Sequence, residues 1–379
     1  MVLVFRVQAY LAYSISQKVV EEKTNEEHNR LLNKMQKLLT IVVPTYNMQD
    51  YLNRCLDSLV VESFLMEQLD VLVINDGSKD NSSVIAHEYQ DKYPDTFRVI
   101  DKENGNYGSC VNRGLAEAQG KYIKVLDADD WFDTKEFEKY LEKLQEVDAD
   151  LVLTSFVTLN EDGSVVGISK QIIEEGICFD FNSFSKDKLY RYSMHMVTYR
   201  TELLKSICYR QTEGISYTDT EWTHIPQYAV RQFVYFPFVV YKYMVGREGQ
   251  TMDPSVLARN IWKYETILCS LIDNRKQYDV KQYPLADEFN LQQIVFLAAN
   301  IYRMFLVLVK PSSDDLAHLR AFDDYLKESC PVAYEATSKL PLKKHLPIHY
   351  VSFWRRTGKR LSVDGLRDLY RKVKYRGKN

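Results

Sequence analysis

Three carboxylates crowd the end of one short apolar run. In Val125-Leu126-Asp127-Ala128-Asp129-Asp130-Trp131 the chain changes from apolar to anionic within two residues. Asp127 and Asp129 are two positions apart, so in extended backbone both side chains leave the same side of the strand. Anions held that close repel one another, and a bound divalent cation relieves the repulsion. Ligands that are all oxygen favour a hard ion, Mg²⁺ or Mn²⁺, whose open positions can take phosphate oxygens. The structural alternative is an acidic turn capping a helix that starts near Thr134, since Asp is common at N-caps.

The residues upstream say what positions that turn. Lys121 to Leu126 reads as a strand, because Tyr, Ile and Val cluster there after Gly120. Leu38 to Val43 is a continuous β-branched run, the pattern of a strand buried on both faces of a parallel sheet. Pro44-Thr45-Tyr46-Asn47 ends it. Leu69 to Ile74 is a second strand, closed by Asn75-Asp76-Gly77-Ser78, and Phe97 to Ile100 a third. Helical spacing lies between them: Tyr51, Leu52, Cys55, Leu56 and Leu59, then 82–93. A further helix, entered through Asn104-Gly105-Asn106-Tyr107-Gly108, runs to Ala118. Strands and helices alternating in this way predict a parallel sheet with right-handed crossovers. Such sheets bind ligands at strand carboxyl ends, where the acidic turn lies. Beyond Trp131 come a helix (134–145) and a strand (150–156). Short strands and loops fill 170–250, and a mostly helical stretch runs from Pro254 to about Leu340, broken at Pro311-Ser312-Ser313.

A chain of 379 residues predicts two or three domains, and 45% hydrophobic with 27% charged residues is ordinary for a globular protein. The 27 tyrosines suit extended polar-aromatic surfaces such as carbohydrate sites. The net charge of −3 hides an asymmetry, because 342–379 carries 12 Lys/Arg against 2 Asp/Glu. The six cysteines are scattered without metal-ligand spacing, which reads as free thiols of a reducing compartment. Met1 to Ile15 is interrupted by Arg6 and Gln8, too short to span a bilayer, and unlike a secretory leader. Ile294 to Val309 contains Asn300 and Arg303 and reads as a buried helix. A cytoplasmic protein is expected, and a nucleic-acid partner is not. P-loop, G-x-G-x-x-G, G-x-S-x-G and H-E-x-x-H motifs do not occur at the positions that would give them meaning.

Taken in order, Val42-Val43-Pro44-Thr45-Tyr46-Asn47, Val73-Ile74-Asn75-Asp76-Gly77-Ser78, Asn104 through Asn112-Arg113-Gly114-Leu115 to Gly120, and Leu126-Asp127-Ala128-Asp129-Asp130 resemble the family 2 glycosyltransferases. Weaker likeness continues through 217–221 and 241–251, as in bacterial enzymes that build cell-surface glycans. The resemblance implies an α/β GT-A fold with a mostly parallel central sheet; the N-terminal extension and the mostly helical C-terminal region are not explained by it. It implies an inverting, metal-dependent transfer from a nucleotide-sugar to a glycan or lipid-linked acceptor. The chain divides accordingly into an extension (1–37), a catalytic domain (38–252, with a nucleotide-binding half 38–131 and an acceptor half 132–252), a helical domain (253–340) and a basic tail (341–379).

Carried onto this sequence, Pro44 and Tyr46 lie at the base site, where the ring stacks on a base or packs on the next helix. Asp76 can accept the N3–H of uracil, a donor that cytosine lacks, or close an Asx-turn before Gly77. A UDP-sugar is therefore the expected donor. Asn104, Asn112 and Arg113 suit ribose or sugar hydroxyls, and any of them could instead be a cap. Asp127 resembles the carboxylate at ribose or donor sugar and shares the metal with Asp129, the direct ligand for Mn²⁺ or Mg²⁺. Asp130 orients the site or caps the next helix. Asp219 is the candidate base for the acceptor hydroxyl, with Glu221 its rival. Relatives carry Glu-Asp where this chain has Thr218-Asp219. Arg247 suits the diphosphate or a closing loop. His195 reads as a satisfied, partly buried histidine rather than an acceptor-site residue. Two other readings stay open: a nucleotidyltransferase, which wants a basic Gly-rich loop after the first strand, and an inactive nucleotide-sugar-binding module.

In the tail Val363, Leu366, Leu369, Tyr370 and Val373 recur at helical spacing among Arg367, Arg371, Lys372 and Lys374. A basic amphipathic helix of this kind lies on an anionic membrane surface or docks on an acidic protein face. Each basic residue near such a surface adds roughly 1 kcal/mol. Full-length protein should therefore co-sediment with anionic vesicles in a salt-sensitive way, and a chain truncated at 341 should not. Equal co-sedimentation of the two would exclude the membrane role.

Overall fold

The computed structural model describes residues 37–246, 260–343 and 346–360. The extension before Lys37, Arg247 and the amphipathic stretch of the tail from Val363 lie outside these residues.

Four strands form where the β-branched runs predict them: β1 (Lys37–Thr45), β2 (Leu69–Asn75), β3 (Phe97–Asp101) and β4 (Gly120–Val125). They pair in parallel in the order β3-β2-β1-β4. Helices α1 (Leu52–Asp57), α2 (Ser82–Lys92) and α3 (Asn106–Glu117) make the crossovers. The strand order reverses between β1 and β4, which is where an open sheet leaves a crevice beyond its strand ends. Tyr46 follows β1, and Asp127 follows β4.

After β5 (Trp131–Phe132) comes α4 (Thr134–Leu144). Its cap is Asp133, whose side chain accepts from Glu136 N, so Asp130 is released from that duty. β6 (Leu151–Asn160), β7 (Val165–Ser169), β8 (Phe179–Asp180), β9 (Val197–Arg200) and β10 (Gln232–Val245) extend the sheet. Its order becomes β3-β2-β1-β4-β9-β6-β10-β5, with β7 on β6 and β8 on β10. β9 runs antiparallel between β4 and β6, whereas β6 and β10 are parallel. The register of β10 slips between Phe236 and Val239 and again before Tyr241. Pro237, which cannot donate to a ladder, lies within that slip.

Between β9 and β10 lies the short helix α5 (Asp219–His224). The C-terminal region is helical as expected, with α6 (Lys263–Lys276), α7 (Pro284–Arg303) and α8 (Ser313–Ser329). The break at 311–313 is a capping box between Ser312 and Asp315. α7 joins the two cores of the described residues. Leu285, Ala286 and Phe289 pack on the sheet domain, and Ile294, Leu297, Ala298 and Ile301 pack among the helices. With the π-helical turn that follows it, α7 is long and apolar enough to cross a membrane, but 56% of its most apolar window is buried inside the protein.

One polar group is fully enclosed at the opposite end of the sheet from the site. Asp70, 2% exposed in the all-buried β2, accepts from Thr40 Oγ1 (2.8 Å), Gln119 N (3.1 Å) and Arg98 Nε (2.9 Å). These bonds tie β1, β2, β3 and the entry to β4. Asp70→Ala should cost about 3 kcal/mol in urea unfolding, since several donors lose one acceptor in a dry strand. A loss below about 1 kcal/mol would show that water replaces the carboxylate there.

Candidate active site

β4 stops at Val125, and the acidic residues follow in a turn closed by Asp130 N donating to Asp127 O (3.0 Å). Asp127 and Asp129 are therefore not alternate residues of one extended strand, which corrects the geometry expected from their spacing. The cause lies in Asp130. Its carboxyl, 1% exposed, accepts from Tyr241 Oη (2.7 Å) and Met244 N (2.8 Å), and reaching them bends the backbone out of the strand. Tyr241 Oη also accepts from Asp127 N (3.2 Å). Asp127 Oδ1 accepts from Tyr107 Oη (2.9 Å). Outside the turn, Arg54 lies 3.7 Å over the Trp131 ring and donates to Asp129 O (3.1 Å).

The electrostatics gather four carboxylates in one place. Burial, then Asp129 and Asp219, push the Asp127 carboxyl up to about 7, against the favourable Tyr107 bond. Burial, then Asp127 and Asp129, raise Asp130 well above the carboxylate range. Asp219, first residue of α5, is raised by burial and by Glu221. Burial, then Asp130, Asp127, Asp129 and Asp219 together, push the Tyr243 phenol up to about 12. One ligand atom each from Asp127, Asp130 and His195 lie within 4.8 Å of one another. Clustered carboxylates driven toward protonation by each other, with an imidazole alongside, are a donor set that fits a divalent cation.

Beside β1 and β2 opens a cleft of about 480 Å³ lined by Tyr46, Gly77, Lys79, Asp101, Lys102, Glu103 and Asn104. The Tyr46 ring is 47% exposed there. Pro44 is half-buried in the last turns of β1. Asn47, at φ +54°, ties the two strand-end loops together by accepting from Lys79 N (2.8 Å) and taking Ser78 Oγ on its own N–H (3.1 Å). Asp76 lies beneath, 3% exposed. Its carboxylate accepts from Lys102 Nζ (2.5 Å), Gly105 N (2.9 Å) and Asn106 N (2.9 Å), while Asn104 Nδ2 donates to its carbonyl (2.9 Å). Asp76 thus holds the start of α3, and the next residue, Tyr107, holds Asp127. Residues 104–107 link cleft and acidic turn.

The other expected residues divide. Asn112 Nδ2 donates to Gln211 O (2.8 Å) and Glu213 Oε1 (2.9 Å), and Asn112 Oδ1 accepts from Gln211 N (2.8 Å). Arg113 pairs with Glu117 on the exposed side of α3 and does not line the cleft. Glu221 is fully buried and accepts from Thr212 N and Thr212 Oγ1, both at 2.7 Å. Its oxygens serve the loop, which leaves Asp219 as the carboxylate of that pair turned to the cluster. Sequence reasoning missed Tyr107, Tyr241, Lys102 and Lys124. Lys124 carried a signal, being a charge inside an apolar run. It is 0% exposed, and burial lowers its ammonium to about 7.

Comparison with known proteins follows the same ground. Residues 40–208 match Glycosyl transferase family 2. Glycosyltransferase GlyA of Streptococcus pneumoniae is 32% identical over 123 residues, 32% of this chain and 17% of that protein. Minor teichoic acid biosynthesis protein GgaB of Bacillus subtilis is 35% identical over 102 residues, 27% of this chain and 11% of that protein. The matched part is thus a small fraction of these longer relatives. The fold of S. aureus TarS 1-349, crystallised in complex with UDP-GlcNAc, is similar over 89% of this chain and 91% of that one, with a TM-score of 0.63 at 18% identity.

The raised Asp127 carboxyl has a thermodynamic consequence. A folded-state value of about 7, above the ordinary 3.8, favours folding below that ordinary value, and this benefit is lost as pH rises through 7. Asp127→Asn cannot ionise and escapes the loss. In chelator the variant should unfold about 1–3 kcal/mol later than wild type at pH 8 and at nearly the same free energy at pH 4. A variant less stable than wild type at pH 8 would contradict the clustering.

Proposed function

We propose that this chain, which belongs to glycosyl transferase family 2, is an inverting glycosyltransferase that moves a sugar from a UDP-sugar to a hydroxyl of a glycan or lipid-linked acceptor in cell-surface polysaccharide synthesis. The observation that carries this reading is the segment 104–107. It lines the cleft with Asn104, is held by Asp76, and ends in the Tyr107 hydroxyl on Asp127. A nucleoside in the cleft and a diphosphate-sugar at the acidic turn are then parts of one ligand. The UDP-GlcNAc complex of the S. aureus neighbour supports uridine as the nucleoside.

In this reading Tyr46 stacks on the uracil, and Asp76, already carrying three donors, shapes the cleft floor and offers its remaining lone pair to the base N3–H. Asn104 and Asp127 take ribose or sugar hydroxyls. When bound, a divalent cation held by Asp129 and Asp127 supplies positive charge against the departing diphosphate. Asp219 removes the proton of the attacking acceptor hydroxyl. Its carboxyl, raised by burial and by the charge of Glu221, is more basic than an exposed one, which suits that task. Arg247 is assigned to the diphosphate and the basic tail to an anionic membrane surface on the cytoplasmic side.

A panel of UDP-sugars with Mn²⁺ or Mg²⁺ should reveal one that is turned over with UDP release. Asp219→Asn should lower kcat by about 10²-fold or more while UDP affinity stays within about twofold. Equal loss of UDP binding and transfer would make Asp219 structural. No turnover of any UDP-sugar, with UDP still bound, would favour a binding module.

A further inference from the structure

The segment before β9 is built in an unusual way. Lys124, in the middle of β4, extends its ammonium across the sheet and donates to His195 O (2.9 Å) and Val197 O (3.1 Å). These bonds hold the 3₁₀ turn Met194–Met196 against the strand that delivers Asp127. The imidazole within that turn is fixed from three further sides. It stacks on Tyr243 (4.3 Å between centroids), meets Tyr241 edge-on (4.7 Å) and packs on Phe156 (4.9 Å). Ser193 Oγ bonds its Nδ1 (2.9 Å). In the tautomer in which Nδ1–H donates to Ser193 Oγ, Nε2 keeps an open lone pair, and no hydrogen-bond partner meets it among the described residues. Tyr241, the ring that His195 meets edge-on, is the same residue that positions Asp127 and Asp130.

We propose that His195 completes the divalent-cation site at the acidic turn by contributing an imidazole nitrogen beside Asp127, and that this nitrogen makes the site prefer Mn²⁺ to Mg²⁺. The inference rests on the nucleotide-sugar reading, because the cation arrives with the diphosphate. Three facts support it. The ring and the carboxylates of Asp127 and Asp130 converge within 4.8 Å. Asp130 turns its two oxygens to Tyr241 and Met244, which leaves Asp127 and Asp129 as the carboxylates for the ion and the His195 ring as the next donor beside them. Ser193 on Nδ1 supplies the outer hydrogen bond that metal-bound histidines generally have. Mg²⁺ wants oxygen and near-ideal octahedral geometry, whereas Mn²⁺ accepts imidazole more readily.

The test is pulsed EPR of Mn²⁺ bound to the full chain with UDP, with a parallel titration of Mn²⁺ and Mg²⁺. Wild type should show a ¹⁴N coupling that becomes ¹⁵N when histidine is ¹⁵N-labelled. His195→Asn, folded by circular dichroism and still binding UDP, should lose that coupling, and its Mn²⁺-over-Mg²⁺ preference should fall at least about tenfold. His195→Gln should do the same, which guards against an effect of side-chain length. A bound Mn²⁺ without histidine coupling, or coupling that survives in both variants, would overturn the assignment and leave the UDP-sugar reading intact. Failure of Mn²⁺ to bind while UDP still binds would overturn the assignment alone, whereas failure of UDP itself to bind would remove the nucleotide-sugar reading as well.

Discussion

A carboxylate with no access to water must be given its hydrogen bonds by the protein, and Asp130 receives them from Tyr241 and Met244 on β10. The rest of the site follows from that requirement. The bond bends the chain after β4 into a turn and sets Asp127 against Tyr107. It also joins the parallel half of the sheet to a strand more than 100 residues later in the chain. β10 meets the demand because its register slips around Pro237, which re-aims Tyr241 at the turn. Without those partners Asp130 would be a buried carboxyl lacking its hydrogen bonds, a penalty of about 1–3 kcal/mol.

The base side of the site depends on a different closure. Loop 211–213 is locked to α3 by the reciprocal Asn112 bonds, and Glu221 clamps Thr212 from behind. Gly108 makes the approach possible, since a Cβ there would lie 2.0 Å from Thr212 O. α3 therefore braces both sides of the carboxylate cluster. Its first residues face Asp76 and Asp127, and its second turn fixes the loop that leads to Asp219. Helix and loop hold like charges together against their repulsion, which is how a stable scaffold tolerates a destabilised site.

Much of this was legible in the residues. β-branched runs and their spacing gave β1 to β4, the crossovers and the strand ends at which Tyr46, Asp76 and Asp127 lie. Asp219 was preferred to Glu221 from the sequence, and Glu221 is the one of the two whose oxygens are bonded to Thr212. The D-x-D-D spacing misled on geometry, because alternation holds only while the backbone stays extended, and a contact to Tyr241 decides that it does not. Asn112 was read as a sugar-hydroxyl residue, yet its partners lie 99 residues away in the chain. Lys124 and Tyr107 went unnoticed because their roles come from what the sheet order places opposite them, and β9 inserting antiparallel between β4 and β6 has no local signature.

The long reach from Asp130 to Met244 also sets when the acidic turn can first take shape. Strands β1 to β4 are complete once residue 125 has left the ribosome, so the parallel half of the sheet can pair early. The acidic turn gains its tether only when β10 emerges, 114 residues after Asp130. At the roughly 5–20 residues per second of translation, that delay is on the order of 6–20 s. For that interval the nascent chain has a sheet with its crevice but no ordered cluster of carboxylates. Assembly of the acidic turn is thereby one of the last events of domain folding.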